Sequence, residues 1–67
     1  MIEITVNGEA RQVEEPLTVA ELLTRYGIHD RMVVVEHNGE IVPRGRFGAE
    51  KLRAFDNLEI VQMMAGG

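Results

Sequence analysis

The 67-residue chain contains no cysteine. That excludes a disulfide staple, a thiolate zinc site, an iron–sulfur cluster and a thiol nucleophile, so any sulfur chemistry must import its sulfur. Basic residues are also scarce: seven Lys and Arg stand against eleven Asp and Glu, for a net charge of −4. This balance disfavours nucleic acid, whose phosphates are held by clustered Lys and Arg. No apolar run approaches the ~20 residues that cross a bilayer. Met1 to Val6 alternates polar and apolar residues and lacks the charged and apolar blocks of a signal peptide. There is no phosphate loop of the G-x-x-x-x-G-K-S/T type, and no nucleophile, base and orienting group stand together as a constellation. The expectations are a soluble cytoplasmic protein, monomeric when free, with no nucleic-acid or membrane partner, no bound cofactor and no enzymatic activity of its own. A chain of this length is one domain at most, near the size at which folding buries only about 60% of the surface.

What is present reads as strands around one helix. Ile2, Ile4 and Val6 alternate with Glu3 and Thr5, the period-two pattern of a strand with one face in a core. Asn7-Gly8 supplies the positive φ angles of a two-residue hairpin turn, so Glu9 to Val13 should return antiparallel. Glu14-Glu15-Pro16 ends that pairing, because proline lacks the amide donor. Thr18 and Glu21 then form the two halves of a capping box, flanked by Leu17 and Leu22 as a hydrophobic staple. Val19, Leu22, Leu23 and Tyr26 fall on one face at helical spacing, with Glu21, Thr24 and Arg25 largely on the other. Gly27 stops the helix.

The β-branched run from Met32 to Glu36 suggests a well-buried or central strand. Asn38-Gly39 is a second hairpin signal, followed by Glu40-Ile41-Val42 and a stop at Pro43. Arg44 to Arg53 reads as a loop or short helical turn pinned by Phe47 and Leu52. Leu58, Ile60 and Gln62 alternate with Glu59, Val61 and Met63 in a last strand. The order predicts an α+β fold, a helix on a mixed sheet of four to five strands, with the connection from the first hairpin through the helix allowing a parallel crossover. Ubiquitin-like β-grasp domains have this layout, with the last strand placed centrally. The division is a domain over 1–64 and a flexible Ala65-Gly66-Gly67 tail over 65–67.

Two terminal glycines contribute nothing to a core, but they make a thread thin enough to enter a narrow slot. From Met64 to Gly67 it would carry a carboxylate about 13 Å beyond the body. A carboxylate resists attack and needs activation, usually as a mixed anhydride with AMP, and this chain must take its ATP from a partner enzyme.

The Asn-Gly turn after the first strand, Thr18-Val19-Ala20-Glu21-Leu22-Leu23, Asn38-Gly39-Glu40-Ile41-Val42-Pro43-Arg44, Asp56 and the Ala65-Gly66-Gly67 end, in this order, resemble the ThiS sulfur carriers of thiamine biosynthesis. The resemblance covers almost the whole chain. It implies a β-grasp fold and adenylation of Gly67 by a ThiF-like adenylyltransferase, with ATP and Mg supplied there. It further implies conversion to a thiocarboxylate by way of a sulfur donor protein, and delivery of the sulfur to a ThiG-like thiazole synthase. Gly67 would be the modified residue, with Gly66 and Ala65 as the tail entering partner active sites. Three positions depart from the family pattern: Ala54 and Phe55, since Ala54-Phe55-Asp56 stands where Asp-Gly-Asp is usual, and Phe47 where tryptophan is frequent.

Other residues carry weaker signals. Val61, Met63 and Met64 either finish the core or form an apolar docking patch beside the tail. His29 and His37 lack a second ligand at metal spacing and read as surface or hairpin histidines. Glu14-Glu15 reads as solvated charge, and Arg44 and Arg46 as either a contact for an acidic partner or solubilising charge. The alternatives within the fold are a molybdopterin-synthase small subunit or a ubiquitin-like protein modifier. Outside it stands a non-catalytic interaction domain whose diglycine is incidental.

Overall fold

The computed structural model describes residues 1–63. Five strands, β1 (Ile2–Val6), β2 (Glu9–Val13), β3 (Val33–His37), β4 (Glu40–Val42) and β5 (Asn57–Gln62), form one sheet in the order β2-β1-β5-β3-β4. One helix, α1 (Val19–Arg25), and two 3-10 turns, Asp30–Met32 and Arg44–Arg46, complete the elements among the described residues. This is the ubiquitin-like β-grasp arrangement.

Each hairpin closes where its Asn-Gly pair stands: Asn7 and Gly8 have φ of 51° and 83°, Asn38 and Gly39 of 54° and 86°. The hairpins pair Ile2 with Val13 through Val6 with Glu9, and Val35 with Val42 through His37 with Glu40. β5 enters between them, parallel to β1 (Thr5 opposite Asn57) and antiparallel to β3 (Val33 opposite Gln62 through His37 opposite Leu58). The parallel pair therefore joins the first strand to the last. The connection from β2 through α1 to β3 lands two places away from β1, and β5 fills the gap.

One face of the sheet is buried. Ile2, Ile4, Val6, Val13, Val33, Val35, Val42, Leu58 and Ile60 pack into one cluster with Val19, Leu22 and Leu23 of α1 and with Leu17, Phe47 and Leu52. Thr18 caps α1: its hydroxyl accepts from the Glu21 amide at 3.2 Å, and the Thr18 amide donates to the Glu21 carboxylate at 2.9 Å. The segment after Pro43 is pinned as its two apolar residues suggest, with Phe47 and Leu52 both 3% exposed. It also buttresses the start of α1, because the amides of Val19 and Ala20 donate to the carbonyls of Glu50 and Phe47, each at 2.9 Å.

Three expectations are corrected. Tyr26 is half-exposed and not part of the core face. The helix ends at Arg25, Tyr26 is its C-cap, and the ring lies under Arg11, whose guanidinium carbon is 5.6 Å from the ring centroid. Met32 belongs to a 3-10 turn, so β3 begins at Val33. β3 is interior but not central, and only Val33 and Val35 of its valines are buried; Val34 lies on the other face, half-covered.

Candidate functional site

The candidate site is the central strand β5 together with the chain beyond it. Met64, Ala65, Gly66 and Gly67, which include the expected modified residue, its tail partners and one member of the docking patch, lie outside the described residues. The structure describes how residues 57–63 are held. On one side Met63 still donates its amide to the Met32 carbonyl at 2.7 Å, so β5 is fastened along β3 to the last described residue.

On the other side β1 is too short to accompany it, and Asn7 takes over. Its side-chain Oδ1 accepts from the Ile60 amide at 2.7 Å, and its Nδ2 donates to the Ile60 carbonyl at 3.2 Å. The amide group thus stands in for one more residue of strand backbone. At the start of β5, Asn38 acts from the β3 side. Its amide donates to the Asn57 carbonyl at 2.7 Å and its Oδ1 accepts from the Asn57 amide at 2.8 Å. Sequence reasoning assigned both asparagines to turn geometry and missed this second use. The signal for it was faint: Asn, unlike Asp, offers both a donor and an acceptor at a position of positive φ.

Beside Asn38 lies a charged cluster. His37 Nδ1 is 2.7 Å from Glu50 Oε2, and Nε2 is 2.6 Å from Asp56 Oδ2. Asp56 also accepts from the Arg53 amide at 2.8 Å and from Asn38 Nδ2 at 3.1 Å. A neutral imidazole has one donor, so two flanking carboxylates call for the imidazolium. Burial pulls the His37 pKa down, but the hydrogen bonds and charges of Glu50 and Asp56 outweigh it and leave the value above the ordinary 6.5. Burial pushes Asp56 up. The Arg53 amide, His37 and Asn38 overcome that and hold its carboxyl below 3.8. His37 is the hairpin histidine of the two expected settings, standing opposite Glu40 where β3 turns into β4, and not a surface one, since its side chain is 13% exposed. Its partners come from 13 and 19 residues away, beyond any local spacing rule. His29 is exposed and only caps a turn, accepting from the Arg31 amide at 3.2 Å.

Of the remaining charged candidates, Arg46 touches the charged cluster, through Glu50. Glu14 and Glu15 are exposed, as is Arg44; Arg46 is exposed and lies 3.7 Å from Glu50 Oε1. Among the described residues no group of three or more His, Asp or Glu could hold a metal ion, and no helix is long and apolar enough to cross a membrane. Val61 and Met63 do not finish the core: they are 54% and 48% exposed on the face away from α1, while Leu58 and Ile60 are buried under it. Phe55 takes the left-handed conformation, φ 67°, that a glycine would adopt freely, and its amide donates to the Glu3 carbonyl at 2.6 Å. Ala54 and Phe55 thus form a turn ahead of β5.

Beyond Met63 the chain is matched to a family as sequence. The ThiS family model matches residues 4–67. The sulfur carrier protein ThiS of Bacillus subtilis is 36% identical over 65 residues, covering 96% of this chain and 98% of that protein. A thiazole synthase of Paramagnetospirillum magneticum is 38% identical over 66 residues, which are 98% of this chain and 20% of that protein. The chain thus spans about a fifth of such relatives, and a thiazole synthase of Magnetococcus marinus gives the same share. Among solved structures, the thiamine biosynthesis protein ThiS of Geobacter metallireducens superposes with a TM-score of 0.85 at 36% identity, covering 98% of this chain and all of that one. A match over nearly the whole chain in both sequence and fold establishes that the chain belongs to the ThiS family.

Proposed function

We propose that this protein is the sulfur carrier of thiazole formation in thiamine biosynthesis, and a co-substrate of other enzymes. A ThiF-like adenylyltransferase, which supplies the ATP and Mg, joins the Gly67 carboxylate to AMP with release of pyrophosphate. Sulfur from a donor protein then displaces AMP to leave a thiocarboxylate, and that sulfur passes to thiazole synthase. Gly66 and Ala65 thread the tail into each partner's active site, and Val61, Met63 and Met64 meet the partner's surface beside it.

The observation that carries this reading is the placement of β5. A strand held on both sides in the middle of the sheet leads directly to the Ala-Gly-Gly sequence, in a chain whose family match runs through residue 67. Relatives in which the same domain forms a fifth of a protein named thiazole synthase support the thiazole branch.

The test is intact-protein mass spectrometry after incubation with a ThiF-like enzyme, Mg-ATP and a sulfur source, alongside a chain lacking Gly67. The expected result is a mass gain equal to exchange of one oxygen for sulfur, confined to the full-length chain. Absence of both the adenylate and the thiocarboxylate with an enzyme that loads another ThiS protein would reject the proposal.

A further inference from the structure

The register of the sheet sorts the side chains of its uncovered face. Alternation from the buried positions places Glu3 of β1, Glu36 of β3 and Glu59 of β5 on the side away from α1. No basic residue of a strand joins them. Arg11 is the one Lys or Arg in the five strands, and it lies opposite Ile4, on the helix side.

Within this acidic face Glu36 and Glu59 are direct cross-strand partners. Like charges set opposite one another on a sheet repel, and among the described residues no ion pair engages either carboxylate. The pair is bordered by apolar surface. Ile41, opposite Glu36, is 67% exposed, and Val61, two residues past Glu59, is 54% exposed. Repulsion with no return inside a small domain, set in an exposed apolar surround on the strand that leads to the tail, fits a surface completed by a cation from outside.

We propose that Glu36 and Glu59 form a charge-selective docking point for thiazole synthase. A Lys or Arg side chain of that enzyme enters between the two carboxylates, while Ile41 and Val61 meet apolar surface around it. The inference rests on the carrier reading above. Thiazole synthase is the occupant because, in the relatives that carry this domain within a thiazole synthase chain, the two are covalently joined.

The experiment is calorimetric titration of the full-length chain, and of a Glu36→Gln/Glu59→Gln double variant, into thiazole synthase at low and high salt. Gln keeps the shape and removes the charge, so the double variant should melt no lower than the parent, and lost binding is then not lost folding. The double variant should bind about tenfold more weakly, and the parent's affinity should fall with salt far more steeply than the variant's. Equal affinity and equal salt dependence would overturn the proposal. So would failure of the parent to bind thiazole synthase, or a loss confined to the activating enzyme. The mass gain at Gly67 is measured on both chains in parallel. A parent that gains sulfur beside a variant that binds unchanged sinks the docking point alone, whereas a parent that gains none sinks the carrier reading and the docking point with it.

Discussion

At the turn between β1 and β2, Asn7 stands at φ 51°; at the turn between β3 and β4, Asn38 stands at φ 54°. Both are followed by glycine, and both lean onto β5, from opposite sides. Asn7 gives its donor and its acceptor to the backbone of one residue, Ile60, and so acts as a neutral length of strand. Asn38 divides its amide between the Asn57 backbone and Asp56, and through Asp56 it joins a part-buried imidazolium and a second carboxylate. The same dipeptide therefore fastens the same strand twice, once by backbone mimicry and once through charge. Only the second fastening can respond to pH.

The largest expected effect is on the charged side. Asp56→Ala leaves His37, Asn38 and the Arg53 amide without their shared acceptor, and should cost about 3 kcal/mol, which lowers the melting temperature by roughly 15 °C in a domain this small. A loss below about 1 kcal/mol in urea unfolding would show that the cluster is not a principal tie. On the neutral side Asn7→Gly keeps the turn conformation and removes the two bonds to Ile60, so about 1–2 kcal/mol should be lost. Hydrogen exchange at the Ile60 amide should accelerate well beyond that at Asn57. Uniform acceleration along β5 would erase the distinction between the two fastenings.

Phe55→Gly tests the turn at the start of β5 without touching either asparagine. The native φ of 67° is costly for a residue with a Cβ and free for glycine. Since the side chain is 78% exposed, little packing is lost, and the variant should be more stable by about 1 kcal/mol. An unchanged or lower melting temperature would mean that the phenylalanine makes up for its backbone cost in place.

The smallest effect is the pH dependence, because either change of protonation leaves part of the cluster bonded. The His37 pKa is raised on folding, so its contribution is complete below 6.5 and is lost as pH rises through the folded value. The Asp56 pKa is lowered, so its contribution is complete above 3.8 and is lost as pH falls through the folded value. Stability from this cluster should be flat between those limits and decline on both sides. Histidine resonances followed by NMR should show His37 titrating above the ordinary histidine value of 6.5, and His37→Gln should abolish the alkaline decline while leaving Ile60 protection unchanged.

Local grammar was sufficient for much of this molecule. The period-two alternation of β1 and β5, the two Asn-Gly turns, the Thr18–Glu21 capping box and the Phe47 and Leu52 anchors are each carried by residues a few positions apart, so a short window of sequence displays them. The same order of elements, ending on diglycine, was enough to resemble ThiS carriers. The extent of the helix was less legible, because Val19, Leu22, Leu23 and Tyr26 share one spacing and only packing shows that the tyrosine lies past the end of α1.

Tertiary structure alone decided the contacts of long sequence separation. The parallel pairing of Thr5 with Asn57, the amide clasp of Asn7 on Ile60, the meeting of His37 with Glu50 and Asp56, and the facing of Glu36 and Glu59 each bring together residues far apart in the chain, and all but the His37–Glu50 contact depend on where the chain enters β5 between the two hairpins. A residue's own type fixes what it can donate, accept or bury. Which partner it finds across a sheet depends on strand order and register, which are set by burying one face of all five strands together.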